Sequence, residues 1–310
     1  MKIFLILLLL ISVSSCAQDG KIISKEPLIL SDSIKMRLSK TVPDLDSIQF
    51  SKITYLSDGL KVTGYVAEPK KQGKYPCIIS NRGGNRDFGE WTPMSIAFFM
   101  GKMANWGYVV VASQYRGNDG GEGMDQFGGD DVNDVLNLVP VLEQLPKADT
   151  TRIGIEGGSR GGMMTYLAMK ESCRFKAAVV IAGMADAHLN IKNRPEMEEY
   201  VFSQLAPNYW ADKENQLNQR SAVQWADKIC KSTPLLIMHG SADWRVSPEE
   251  SLHLVNQLYK YKHPTRFILF EGADHGIREF RKDMFDAMKR HFDLYLRDEH
   301  YLPNMEPHGK

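Results

Sequence analysis

Arg152-Ile153-Gly154-Ile155-Glu156-Gly157-Gly158-Ser159-Arg160-Gly161-Gly162-Met163-Met164-Thr165-Tyr166-Leu167-Ala168-Met169 changes character at its middle. The first five residues form a short apolar-edged run that reads as a strand, and the run from Met163 reads as a helix. A serine flanked by glycines sits at the junction. A strand that stops at such a serine and turns at once into a helix is a nucleophile elbow, which holds the hydroxyl out above the sheet. Gly157 and Gly161 lack a Cβ, so strand and helix can approach closely while the serine takes a conformation that larger neighbours would crowd. Alone, a Gly-x-Ser-x-Gly string describes an ordinary glycine-rich turn equally well, so its context has to decide.

Working outward, strand-like runs at 76–81, 108–113, 152–156, 177–182, 234–239 and 266–270 alternate with helical stretches near 93–106, 130–145, 160–171, 248–261 and 278–297. Such alternation gives a mainly parallel sheet with helices on both faces. Before it, 50–56 and 61–68 flank Ser57-Asp58-Gly59, which is turn chemistry, so an antiparallel hairpin is expected at one edge. The interval 186–233 is longer than the others and reads as a helical insertion over the strand ends.

A serine is a weak nucleophile at neutral pH unless a base takes its proton and an acid orients that base. Sheets of the α/β-hydrolase type present these groups in the order Ser, Asp or Glu, His, each at a strand's C-terminal end. Here the strand 234–239 runs into His239-Gly240-Ser241-Ala242-Asp243, and 266–270 runs into Glu271-Gly272-Ala273-Asp274-His275-Gly276. Asp243 and His275 are therefore expected on the same sheet edge as Ser159. An aspartate after a strand is more often a turn or cap residue when met alone; three residues in the right order at three strand ends are a different matter. His239 precedes the acid and is expected to support the loop by hydrogen bonding. Asp274 is adjacent to His275 in an extended segment, which points the two side chains apart.

The segment 157–162, the loop His239-Gly240-x-x-Asp243-x-x-Val246-Ser247-Pro248 and Asp274-His275-Gly276 together resemble the catalytic domain of the prolyl oligopeptidase family of serine peptidases. Tyr115-Arg116-Gly117, the stretch Gly129 to Val135 and Ser221-Ala222 with Ala226 to Ile229 agree, and the resemblance runs from about Tyr75 to Leu296. It implies Ser159 as nucleophile, His275 as general base and then acid, and Asp243 as its orienting partner, with no metal or cofactor. The oxyanion is expected between the backbone N–H of Arg160 and one from Arg82 or Gly83 in the loop Asn81-Arg82-Gly83-Gly84-Asn85. Relatives often carry Tyr or His before Gly-Gly-Pro where this chain has Arg82 and, at the proline position, Asn85. The Arg82 side chain is open to a surface salt bridge or a substrate contact, whereas Arg116 reads as a structural ion-pair partner. Phe88, Trp91, Trp210 and Trp244 are candidates for a substrate pocket, although aromatic residues are more often core. Many relatives add a β-propeller that restricts entry to short peptides, and the roughly thirty residues between Cys16 and the hairpin are too few for one. Peptide specificity thereby loses its strongest support, and a peptidase is the activity that the resemblance implies, with a carboxylesterase, for example of acylated carbohydrates, whose case the more open site favours, and a non-catalytic binding lipoprotein as alternatives.

Lys plus Arg equals Asp plus Glu at 38 each in 310 residues, so no basic field favours nucleic acid. A hydrophobic share of 43% with 25% charged residues is ordinary globular composition. Met1-Lys2 and the apolar run 3–13 form a basic start and a core too short to span a bilayer. Val13-Ser14-Ser15-Cys16 resembles the lipobox of bacterial lipoproteins, which implies acylation of Cys16 and an exported, membrane-anchored, periplasm-facing protein. The expected organisation is a signal peptide over 1–15, a tether over 16–46, the catalytic domain over 47–300 and a frayed tail over 301–310. Without Cys16 the chain keeps Cys77, Cys173 and Cys230. The sequence permits a Cys173–Cys230 disulfide without establishing proximity, and Cys77 reads as a buried small hydrophobe.

Overall fold

A computed structural model describes residues 18–298 and 300–309, so Cys16 and the segment read as a signal lie outside the described residues. The described residues form nine strands: β1 (Ile22–Pro27), β2 (Ile48–Ser57), β3 (Leu60–Pro69), β4 (Tyr75–Asn81), β5 (Val109–Ser113), β6 (Ala148–Gly158), β7 (Phe175–Ile181), β8 (Leu235–Gly240) and β9 (Thr265–Phe270). They form one sheet in the order β1-β2-β3-β5-β4-β6-β7-β8-β9. Pairing is parallel from β5 through β9 and antiparallel from β1 to β5. The expected hairpin is β2 and β3, closed by Asp58 and Gly59, both at positive φ, as a two-residue hairpin turn requires.

Because strand residues alternate between faces, β6 shows how the two layers are filled. Ile153 and Ile155 enter one apolar cluster with Met163, Met164 and Leu167 of the helix Arg160–Glu171. Gly154 faces the other way, where a Cβ would stand 2.8 Å from Phe292 of the helix Arg281–Leu296. Glu156 follows Gly154 on that second side. The second cluster also holds Ile96, Met100 and Met103 from a helical run over 93–105, whose middle, Ile96–Met100, is π-type.

Of the segment expected as a tether, the described part, 18–46, packs on the domain. Ile22–Pro27 pairs with β2 and Asp32–Leu38 is a helix capped by Ser31, while Leu30, Leu38, Val42 and Leu45 are buried. An edge strand with mostly exposed residues has little apolar pattern to announce it. The insertion consists of short helices, including Ala187–Asn193 and Lys213–Gln219, and Cys173 and Cys230 are joined by a disulfide at its far end. Cys77 is buried in β4, where loss of water pushes its thiol up to about 12.

Candidate active site

Ser159 sits at the end of β6 with φ 57° and ψ −125°, a strained conformation for a non-glycine residue. The neighbours make that turn sterically feasible. A Cβ on Gly157 would lie 2.1 Å from the Gly161 carbonyl oxygen, and one on Gly161 would lie 2.0 Å from that of Asn81. The turn is pinned by the Ser159 N–H donating to Ile181 O at 2.9 Å and by Met184 N–H donating to Ser159 O at 3.2 Å. Arg160 opens the following helix, so its backbone N–H has no intrahelical acceptor.

Asp243 and His275 leave the ends of β8 and β9. Asp243 Oδ2 lies 2.7 Å from His275 Nδ1 and 3.1 Å from His239 Nε2, while Oδ1 accepts from the backbone N–H groups of Arg245 and Val246 at 2.8 and 3.1 Å. Burial opposes the charge of this carboxylate, but the hydrogen bonds from His239 and His275, the His275 charge and the Val246 N–H outweigh it and hold Asp243 well below the usual carboxylate range. It therefore stays ionised at neutral pH. His239 is fully buried, with Nδ1 at 2.7 Å from Ser251 Oγ and Nε2 also at 3.0 Å from Val246 O. It braces the loop and does not reach the cavity. Asp274 turns away, accepting from the Gly276 and Arg278 N–H groups. Ser159 and His275 line one cavity, and no hydrogen bond joins their side chains.

Arg82 forms no salt bridge among the described residues and is one of the residues lining the cavity beside Ser159. It is 3% exposed, and its guanidinium donates to the main-chain carbonyls of Gln114, Gly83, Phe88 and Arg86 at 2.9–3.3 Å. Burial lowers its pKa to about 10, leaving it cationic at neutral pH. The side chain buckles the loop 83–88 from within. That loop brings Gly83 against Ser159, where an added Cβ would stand 3.3 Å from the serine Cβ. Arg116 is the expected ion-pair partner, bound to Asp134 at 2.8 Å and Asp58 at 2.7 Å.

The Arg160 side chain carries structure that sequence reasoning missed. It is 2% exposed, pairs with Asp125 through two bonds of 2.6 and 2.7 Å, reaches Asp131, and stacks over Tyr115 and Phe127 at 4.6 and 4.9 Å. Burial alone would raise the Asp125 pKa; the Arg160 charge outweighs it and holds the carboxyl down to about 2. The residue after Ser159 thus ties the helix Arg160–Glu171 to the loops over 115–131. An arginine heading an apolar helix was the one available signal for such a network.

Two cavities meet at Ser159. The first, about 250 Å³, includes Trp91, His275 and Glu156 in its lining. The second, about 290 Å³, includes Phe88, Trp244 and Arg245 with Tyr200 of the insertion. Trp210 joins neither. It is 69% exposed and borders a separate surface depression with Tyr209, because its short helical turn faces outward from the insertion.

The family model described as "Prolyl oligopeptidase family" matches residues 95–298. The chain belongs to the prolyl oligopeptidase family of serine peptidases. It is 33% identical over 229 residues to an uncharacterized peptidase, YtmA, of Bacillus subtilis (strain 168), covering 74% of this chain and 86% of that one. It is 26% identical to a dipeptidyl-peptidase 5 of Porphyromonas gingivalis, over 71% of this chain and only 34% of that one. An acylaminoacyl peptidase of Pyrococcus horikoshii superposes with a TM-score of 0.72 at 22% identity, over 90% of this chain and 46% of that one. An acetyl xylan esterase from Paenibacillus sp. R4 shares the fold, with a TM-score of 0.64 at 16% identity over 86% and 88% of the two chains. The chain thus spans most of the length of YtmA and about a third of the dipeptidyl-peptidase.

Proposed function

We propose that this chain is a serine-type peptidase acting through an acyl-enzyme, with Ser159, His275 and Asp243 as its catalytic triad. The observation that carries the reading is the 2.7 Å contact of ionised Asp243 with His275 Nδ1, beside a cavity shared by His275 and the strained Ser159. That contact leaves Nε2 as the nitrogen to accept the Ser159 proton. Oγ then attacks the substrate carbonyl carbon, and the oxyanion is met by the N–H of Arg160 and by one from Arg82 or Gly83, each worth about 3 kcal/mol in the transition state. Collapse breaks the bond to the leaving nitrogen, which takes its proton from His275. Water, deprotonated in turn by His275, attacks the acyl-enzyme and releases the acid and free Ser159.

The second cavity suits the acyl portion of a peptide. The Arg245 guanidinium has no ion-pair partner among the described residues, lies 5.3 and 5.8 Å from the rings of Trp244 and Phe88, and is available to a substrate carbonyl. The same triad cleaves esters, so turnover of aminoacyl arylamides is to be compared with that of aryl acetates. Arylamide hydrolysis abolished by Ser159→Ala is expected; turnover of esters alone, longer ones included, would make the protein a carboxylesterase.

The Cys173–Cys230 disulfide supports an oxidising compartment, and with the lipobox-like 13–16 segment it supports an exported protein anchored through acylated Cys16. β1 begins six residues after Cys16, which would hold the domain close to the membrane surface. Mass spectrometry of the mature N-terminus tests this: a diacylglyceryl Cys16 is expected, and an unmodified chain starting elsewhere would refute it.

A further inference from the structure

The first cavity is more than an entrance to Ser159. It runs between the helical run 93–105 and the helix Arg281–Leu296, walled by Phe98, Phe99, Met103, Met284, Phe285 and Met288. Apolar cavities of roughly 150 Å³ take up benzene, so about 250 Å³ accommodates a substituted ring. Glu156, on the second side of β6, forms part of its lining.

Glu156 is 7% exposed, and its one hydrogen-bond partner in the chain is Ser80 Oγ, on Oε1. The other carboxyl oxygen has none. Burial pushes the group up to about 7, so at neutral pH it is in good part a carboxylic acid, able both to donate and to accept. The mostly apolar cavity therefore contains unused hydrogen-bonding capacity at the Glu156 carboxyl. Arg281 shares the wall with its guanidinium 5.6 Å from the Phe98 ring, which disfavours a cationic ligand, while any ionised fraction of Glu156 disfavours an anionic one.

His275 decides which part of a substrate enters. The base that takes the Ser159 proton must deliver it to the leaving atom, so the leaving group departs on the side that His275 lines. His275 lines the first cavity and not the second. We propose that the first cavity is a leaving-group site selective for a neutral aromatic group bearing a hydroxyl, with Glu156 as its hydrogen-bonding partner. This rests on the serine-hydrolase reading above. For a peptide it means a tyrosine-like residue directly after the scissile bond, and for an ester a hydroxyaryl alcohol.

Binding and turnover test it separately. Calorimetry on the full-length Ser159→Ala protein compares p-cresol with toluene. p-Cresol is expected to bind at least tenfold more tightly; Glu156→Leu should erase that preference while toluene still binds, Glu156→Gln should retain most of it, and Met288→Trp should block both. Equal affinity for the two probes, or binding indifferent to Met288→Trp, overturns the site. With the acyl part held constant, kcat/KM is expected to be at least tenfold higher for a tyrosine-amide than for a glycine-amide leaving group, or for hydroxyphenethyl than for ethyl esters if only esters react. Equal values overturn the leaving-group assignment. Probe binding without covalent labelling of Ser159 would keep the pocket and instead remove the hydrolase reading.

Discussion

The two cavities that meet at Ser159 are built in opposite ways. The first is walled by long helical segments packed on the sheet, and its shape follows from the same apolar packing that holds the domain together. The second is walled by connections: the loop buckled by Arg82, the short helices of the insertion and the Asp243–Val246 loop. Connections can be rebuilt without disturbing the sheet, whereas a change in the first wall is a change in the core. The proposed triad sits on three strand ends, and its Ser159 lines both cavities.

That comparison orders the expected effects. Ser159→Ala removes what the cavities share and should lower kcat by about 10⁴-fold or more, measured on whichever substrate turns over best. Residual turnover within tenfold of wild type would detach both cavities from the chemistry. Arg160→Met leaves Asp125 and Asp131 buried without their cation, and should cost about 3–5 kcal/mol in denaturant unfolding. The loss should fall on the second cavity, which Arg160 lines, and a change below about 1 kcal/mol would mean that the network is not what holds that wall. Replacing Cys173 and Cys230 by serine frees the far end of the insertion and should cost about 2–4 kcal/mol, with KM for the acyl side rising more than p-cresol affinity falls. Equal losses in the two cavities would break the distinction between them.

Glu156→Gln gives the sharpest pH signature. The unfolded chain releases this proton near 4.5, whereas the folded protein holds it up to about 7. The raised folded pKa means that the native state binds more protons between those values. Stability is therefore full below about 4.5 and declines as pH rises towards 7 and just beyond. Relative to the glutamine variant, wild type should lose on the order of 3 kcal/mol between pH 4 and pH 8 in chemical denaturation. A pH-independent difference between the two would place Glu156 in a wetter environment than the first cavity provides.

The strands from β2 to β9, their hairpin and the strand-end positions of Ser159, Asp243 and His275 were legible in the sequence because each obeys a local rule: alternation, turn chemistry, or a loop following an apolar run. β1 was not legible, since an exposed edge strand buries too little to show a pattern. The buried roles of Arg82 and Arg160 were missed for a different reason. Their partners lie up to 35 residues away, and whether an arginine faces water or a ring of carbonyls is decided only by packing. Of the four aromatic candidates, Trp91 separates from Phe88 and Trp244 into a different cavity and Trp210 leaves the site altogether. Aromatic content alone could not assign them to walls.

The central claim is that Ser159 is an activated nucleophile, and covalent labelling tests it most directly. Folded wild-type protein treated with a fluorophosphonate should gain one adduct, located on Ser159 by peptide mass mapping and absent from Ser159→Ala, with labelling slowed strongly in His275→Ala. An unlabelled wild type, or an adduct that persists in Ser159→Ala, would contradict the account.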